Sequence, residues 1–247
     1  MLSEKRKITR PELLRSLPEL ERPITLRIKF VKVGDLQYIS HLDLQRTFNR
    51  VLMRSGLPVW YTKGFNPHAK LVFSTPLSVG TQSICEFLDL KMDREMPLDD
   101  VKDMLNAELT DQMYATEVYI PETKFSDIAF CEYEYEIYTE NSSSEFAENI
   151  EAVLKTSPLN LVKKTKSGER EIDITSLINS VSAEYDAQSG AVKIRAVLSA
   201  GSDNFLNPEM LITALKAKLG ILSGDPMQEN YSIVRTKALT SDLREFH

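Results

Sequence analysis

Glycine and proline are sparse, 9 and 11 of 247 residues, and the chain holds only two cysteines and three histidines. So little Gly and Pro excludes a collagen-like or low-complexity chain. Cys85 and Cys131 lie too far apart in the sequence for a metal-ligand or redox pair, and two thiols do not make a disulfide framework. Both are expected as buried core residues in a reducing compartment. No apolar run approaches the roughly 20 residues of a bilayer-crossing helix, and the opening MLSEKRKITR lacks the apolar stretch of a secretory leader. A cytoplasmic protein without a membrane partner is expected. No glycine-rich phosphate loop of the Rossmann or P-loop pattern occurs, no HxxxH or CxxC pair occurs, and one histidine is the final residue, His247. Nucleotide hydrolysis and zinc chemistry are therefore not expected, and neither a metal nor a cofactor is assigned.

What is present is ordinary for a packed protein: 42% hydrophobic and 27% charged residues. At roughly 100 to 150 residues per domain, the length predicts two domains. The formal charge of -6 conceals an asymmetry. Residues 1–80 carry 14 Lys and Arg against 6 Asp and Glu, a net +8, whereas the remainder carries 16 against 30, a net -14. A basic first third sets a local field that favours an anionic partner, whether nucleic acid or an acidic protein surface. The same charge also fits a solvated surface docking on the acidic half.

Residues 1–22 read as an N-terminal extension, with capping-box spacing at Thr9 and Glu12 ahead of Leu13, Leu14, Leu17 and Leu20. Residues 23–121 read as a basic domain. Ile24, Leu26, Ile28 and Phe30 alternate with Thr25, Arg27 and Lys29, the period of a strand with one buried face and one basic face. Ser40 and Asp43 mark a helix start, and Leu44, Phe48, Val51 and Leu52 predict a helix over 41–55 that Gly56 and Pro58 stop. Strands are expected at 59–61, 71–73, 84–90 and 115–120, with a helix opened by Pro97. Residues 122–247 read as an acidic domain with a basic hairpin. Cys131, Tyr133, Tyr135 and Ile137 alternate with glutamates, and a helix follows the Ser142 and Glu145 capping pattern. Strands at 159–165 and 169–174 flank a Ser167-Gly168 turn, residues 175–180 suggest a helical turn, and a strand at 191–197 precedes a helix opened by Asn207-Pro208. A last strand is expected at 231–239. Each half thus reads strand, helix, two or more strands, helix, strand, which predicts an α+β fold of two tandem ferredoxin-like (βαββαβ) sandwiches.

Three arginines, Arg46, Arg50 and Arg54, recur every four residues and form one stripe on the first helix. With Arg27, Lys29, Lys32, Lys63 and Lys70 they are candidates for phosphate contacts, although a basic stripe is also an ordinary solvated face. The loop Gly64-Phe65-Asn66-Pro67-His68-Ala69-Lys70 combines residues that impose backbone geometry with the polar tips of Asn66, His68 and Lys70. It reads either as a recognition loop or as a turn with His68 bonded locally. Tyr38, His41 and His68 are weak catalytic candidates, and Tyr38, His41 and Lys63 are one possible acid-base set for metal-independent RNA cleavage; Ser40 equally serves as a plain helix cap. Lys163, Lys164, Lys166 and Arg170 surround the hairpin turn, and Lys164, Lys166 and Arg170 join the RNA-binding candidates.

Tyr38-Ile39-Ser40-His41-Leu42-Asp43-Leu44, Gly64-Phe65-Asn66-Pro67-His68 and Lys166-Ser167-Gly168-Glu169-Arg170-Glu171-Ile172-Asp173-Ile174 together resemble a radical-SAM-linked domain of unknown function. Pro76-Leu77-Ser78-Val79-Gly80 and Val234-Arg235-Thr236 extend the likeness from about residue 24 to the C-terminus. The resemblance implies a partner, a cobalamin-domain radical-SAM protein encoded nearby or fused, and a setting in RNA or ribosome metabolism. This chain lacks the cysteines of a cluster site and is not itself such an enzyme. The tandem fold is also similar to repeat-associated RNA-processing endonucleases of CRISPR systems, but their glycine-rich C-terminal loop is missing, since Gly220 and Gly224 stand nearly alone. The expected function is a non-catalytic RNA-binding accessory that presents RNA to a radical-SAM partner, with no DNA expected. A protein-protein adaptor is the alternative, and a metal-independent endoribonuclease a third reading.

Overall fold

The computed structural model describes residues 16–165, 168–222, 224–225 and 227–247. Within them the chain is a mixed α+β fold with one large mixed sheet and four helices. The described residues divide into two compact units: the first comprises 16–79, 84–123 and His247, the second those of 80–83 and 124–246. No helix among the described residues is long and apolar enough to cross a membrane.

The first unit runs β1 (Glu19–Lys32), α1 (His41–Ser55), β2 (Val72–Phe73), β3 (Gln82–Arg94, whose first two residues belong to the second unit), α2 (Leu98–Asn106) and β4 (Met113–Tyr119). Its strands lie in the order β4-β1-β3, with β2 antiparallel on β3. Alternation on β1 buries Leu26, Ile28 and Phe30 against α1, whose Leu44, Phe48, Val51 and Leu52 recur at helical spacing. The Phe30 and Phe48 rings meet edge to face with centroids 4.9 Å apart, a contact that adds to the area each ring buries. Ser40 caps α1 as its spacing predicts, accepting the Asp43 N–H at 3.2 Å. Gly56 ends the helix at φ +76°, a left-handed conformation open to glycine without penalty. The strand expected at 59–61 is reduced to two isolated bridges, Val59 with Met92 and Tyr61 with Ala69. The N-terminal helix expected from Thr9 onward lies chiefly outside the described residues, and β1 already begins at Glu19.

The second unit runs β5 (Phe130–Tyr138), α3 (Ser144–Leu154), β6 (Asn160–Thr165), β7 (Gly168–Asp173), β8 (Ile178–Asp186), β9 (Ala191–Ser199), α4 (Glu209–Leu219) and β10 (Asn230–Leu239). The order β10-β5-β9-β8 is antiparallel throughout, and β10 also pairs in parallel with Gln82 and Ser83. Two sequence expectations change here. Strands β6 and β7 form a separate two-stranded sheet, so the strands between α3 and α4 in the main sheet are β8 and β9. Residues 175–177 make the expected helical turn, but β8 starts at Ile178, where no strand was expected, because only Val181 of its nine residues is buried. The cap of α3 is Ser143, not Ser142, and its hydroxyl accepts the Phe146 N–H at 3.1 Å. Cys85 and Cys131 are buried thiols, one in each unit.

Candidate nucleic-acid interface

Strand β1 has a second face, and it is not a solvent face. Arg27 is 1% exposed, and its guanidinium donates to Asp89 Oδ1 and Oδ2 at 2.7 and 2.9 Å and to the Thr123 hydroxyl at 2.9 Å. Lys32 is 2% exposed and donates to the Leu36 carbonyl at 3.3 Å. Neither side chain reaches a ligand surface, so Arg27 and Lys32 leave the set of phosphate contacts that their charge suggested. A buried arginine in a bidentate pair with hydrogen bonds to spare is a structural group. Lys29 is mostly covered too, paired with Glu117 at 3.2 Å. Burial raises the affinity of Glu117 for a proton, yet the bonds and charges of Lys29 and His247 win and hold its carboxyl below the usual range. The His247 ring stacks on Tyr119 with centroids 3.9 Å apart, and burial pushes the Tyr119 hydroxyl up to about 12 against the opposing pull of Arg27.

The arginine stripe of α1 divides into tied and open members. Arg54 donates to Glu108 Oε2 at 2.9 Å and to the Glu108 carbonyl at 3.3 Å, fastening the end of α1 to the segment after α2. Arg46 bonds Asp43 one turn back at 3.3 Å, and both side chains are exposed. The Ser40 hydroxyl, and after it Arg46, hold the Asp43 carboxyl below its usual range. Arg50 is exposed and forms no ion pair among the described residues. Leu42 and Met53, 52% and 71% exposed, share this face with Arg46 and Arg50, all four lying within about 80° of arc.

The segment between the Tyr61–Ala69 bridge is a pinned loop. Thr62 N–H donates to the His68 carbonyl at 3.0 Å, and His68 N–H returns to the Thr62 hydroxyl at 3.2 Å. His68 Nδ1 lies 3.0 Å from the Asn66 carbonyl, which only accepts, so Nδ1 carries the hydrogen and the neutral ring keeps its acceptor on Nε2. Gly64 turns the chain at φ +149° with open space where a Cβ would point. Phe65, at the tip, is fully exposed, and Lys63, Asn66 and Lys70 are exposed with it. Sequence reading passed over Phe65, since a phenylalanine is first assigned to a core. The signal for it was its place inside Gly-Phe-Asn-Pro, where backbone constraints leave no apolar face to join.

The cleavage candidates do not assemble. His41 opens α1 and sets its ring edge to face against Phe73 at 5.2 Å, whereas His68 is bonded within its own loop. No hydrogen bond or ion pair joins Tyr38, His41 and Lys63 among the described residues. Lys166 of the basic hairpin lies outside the described residues, as do the side chains of Lys164 and Arg170; the β6 and β7 backbones pair Lys164 with Glu169.

The family described as "Uncharacterized protein conserved in bacteria (DUF2344)" matches residues 25–208. No curated protein matches the chain. Among solved structures, DyPB from Rhodococcus jostii in its crystal form 2 is 12% identical, covering 88% of this chain and 94% of that chain at a TM-score of 0.19. A DypB variant from Rhodococcus jostii in complex with heme is 12% identical, covering 90% and 96% at a TM-score of 0.20.

Proposed function

The chain belongs to the bacterial family DUF2344, and from that premise we propose that it is a non-catalytic RNA-binding accessory acting in the cytoplasm beside a separate enzyme. One observation carries the proposal: a fully exposed Phe65 on a loop pinned at both ends and flanked by exposed Lys63 and Lys70. An aromatic ring held in water on a fixed backbone is a stacking platform for an unpaired base, and stacking tolerates any base because every base has a π face. Lys63, Lys70, Arg46 and Arg50 supply the positive charge that positions a phosphate backbone.

The same strand order in each unit, last-first-third-second, supports two ferredoxin-like sandwiches in tandem, the second interrupted by the β6–β7 hairpin. The motif resemblance supports a radical-SAM protein as the partner to which RNA is presented. A second reading, an adaptor for that partner without RNA, is favoured by Leu42 and Met53, which put exposed apolar groups on the arginine face of α1. Binding of single-stranded RNA at about 50 and 200 mM salt separates the two. For about four phosphate contacts on a single strand, affinity should fall by a factor on the order of 50 across that range. Absence of binding at the lower salt would leave the adaptor.

A further inference from the structure

The first unit contains a cleft of about 450 Å³ between the start of α1 and the β2 segment. Helix α1 contributes His41 and Gln45, one turn apart, and the β2 segment contributes Leu71, Phe73 and Ser74. Its aromatic wall is fixed from the core: Phe73 packs edge to face on Phe48 at 5.7 Å and on Phe30 at 6.4 Å, and the His41 ring meets Phe73 edge to face at 5.2 Å. That chain of rings holds Phe73 in place before any ligand arrives. Within this largely apolar surface, the side chains of His41, Gln45 and Ser74 make no hydrogen bond to a described residue. Apolar walls with a few unengaged polar groups are how proteins hold small planar ligands, and the volume falls inside the usual span of about 300 to 1,000 Å³.

Charge says which planar ligand. Arg46 follows Gln45 and Lys70 precedes Leu71, so an exposed cation adjoins each wall in the sequence. We infer that the cleft accepts a single unstacked nucleobase of an RNA strand, a step that rests on the RNA-binding reading above. The base packs its face on the apolar lining. The Gln45 amide, with donor and acceptor side by side, meets the hydrogen-bonding edge of the base, and the Ser74 hydroxyl and His41 imidazole add a partner each. Arg46 and Lys70 neutralise the phosphates on either side. A base in a duplex has its face stacked and its edge paired, so the cleft selects single-stranded RNA.

The test uses the full chain and two probes of equal length and charge: a short single-stranded RNA, and the same backbone with abasic positions. His41→Ala combined with Gln45→Ala should lower affinity for the intact strand about ten-fold, by analogy with the loss of one stacked base, while affinity for the abasic strand stays unchanged. Leu71→Trp, at a half-buried lining position on the same face as Phe73, should reproduce that loss by crowding the cleft without touching a polar group. Circular dichroism and melting temperature report whether each variant folds. If both folded variants bind the intact strand as tightly as wild type, the cleft assignment is overturned and RNA binding stands. If wild type binds neither probe, both readings fall.

Discussion

Arg27 grips Asp89 with two arms of its guanidinium, 2.7 and 2.9 Å from the two carboxylate oxygens, at a position that its charge alone marks as surface. The pair joins β1 to β3, and the Thr123 hydroxyl and carbonyl take two more of its donors. Breaking such a pair strands a carboxylate whose partner is gone, a loss of about 3–5 kcal/mol. Arg27→Met should therefore lower the urea midpoint strongly, while RNA affinity of the folded fraction stays at the wild-type value. A large loss of affinity with unchanged stability would return Arg27 to the binding surface.

Phe65 makes the opposite prediction. Its side chain is fully exposed, so Phe65→Ala removes no packing and should move stability by no more than about 0.5 kcal/mol. If the ring stacks on a base, affinity for single-stranded RNA drops by about 1–3 kcal/mol, and Phe65→Tyr restores it. Thermal melting and fluorescence anisotropy on the same preparations separate the two effects.

The contrast between Arg27 and Phe65 shows where sequence reading reaches its limit. Alternation identified β1 and its core face, Leu26, Ile28 and Phe30, because period and burial coincide there. It gave no sign that the other face is covered as well, since that depends on Asp89 and Thr123, distant in sequence. Strand β8 was invisible for a related reason: INSVSAEYD has one buried residue, Val181, and its place is set by pairing with β9 along eight positions from Ile178 to Asp186. The α1 stripe was legible as a stripe, but the capture of Arg54 by Glu108 was not.

That capture divides the three arginines by experiment. Arg50→Glu should weaken RNA binding and reduce the salt slope by about one ion, with the fold intact. Arg54→Glu sets like charges against each other at Glu108, so it should lower stability first and affect binding less than the Arg50 change. Salt titrations alongside urea melts check both; equal salt slopes for the two variants would mean that Arg54 leaves Glu108 to bind phosphate.

Acid should unfasten the edge of the second unit before its core. Asp186, at the end of β8, pairs with Lys193 of β9 at 2.7 Å and accepts the Gln188 N–H at 2.9 Å. The Lys193 bond, with the Gln188 and Ser189 bonds after it, lowers the Asp186 carboxyl from 3.8 to about 2. A carboxyl whose folded value lies below its unfolded one stabilises the fold above the unfolded value, and that contribution fades as pH falls from about 4 toward the folded value. Asp186→Asn should accordingly be less stable than wild type at pH 6, with the gap closing between about pH 4 and pH 2. Urea midpoints of the two proteins, measured from pH 6 down, give the gap directly; a gap that stays constant through that window would mean the Asp186 charge contributes nothing to holding β8 on β9.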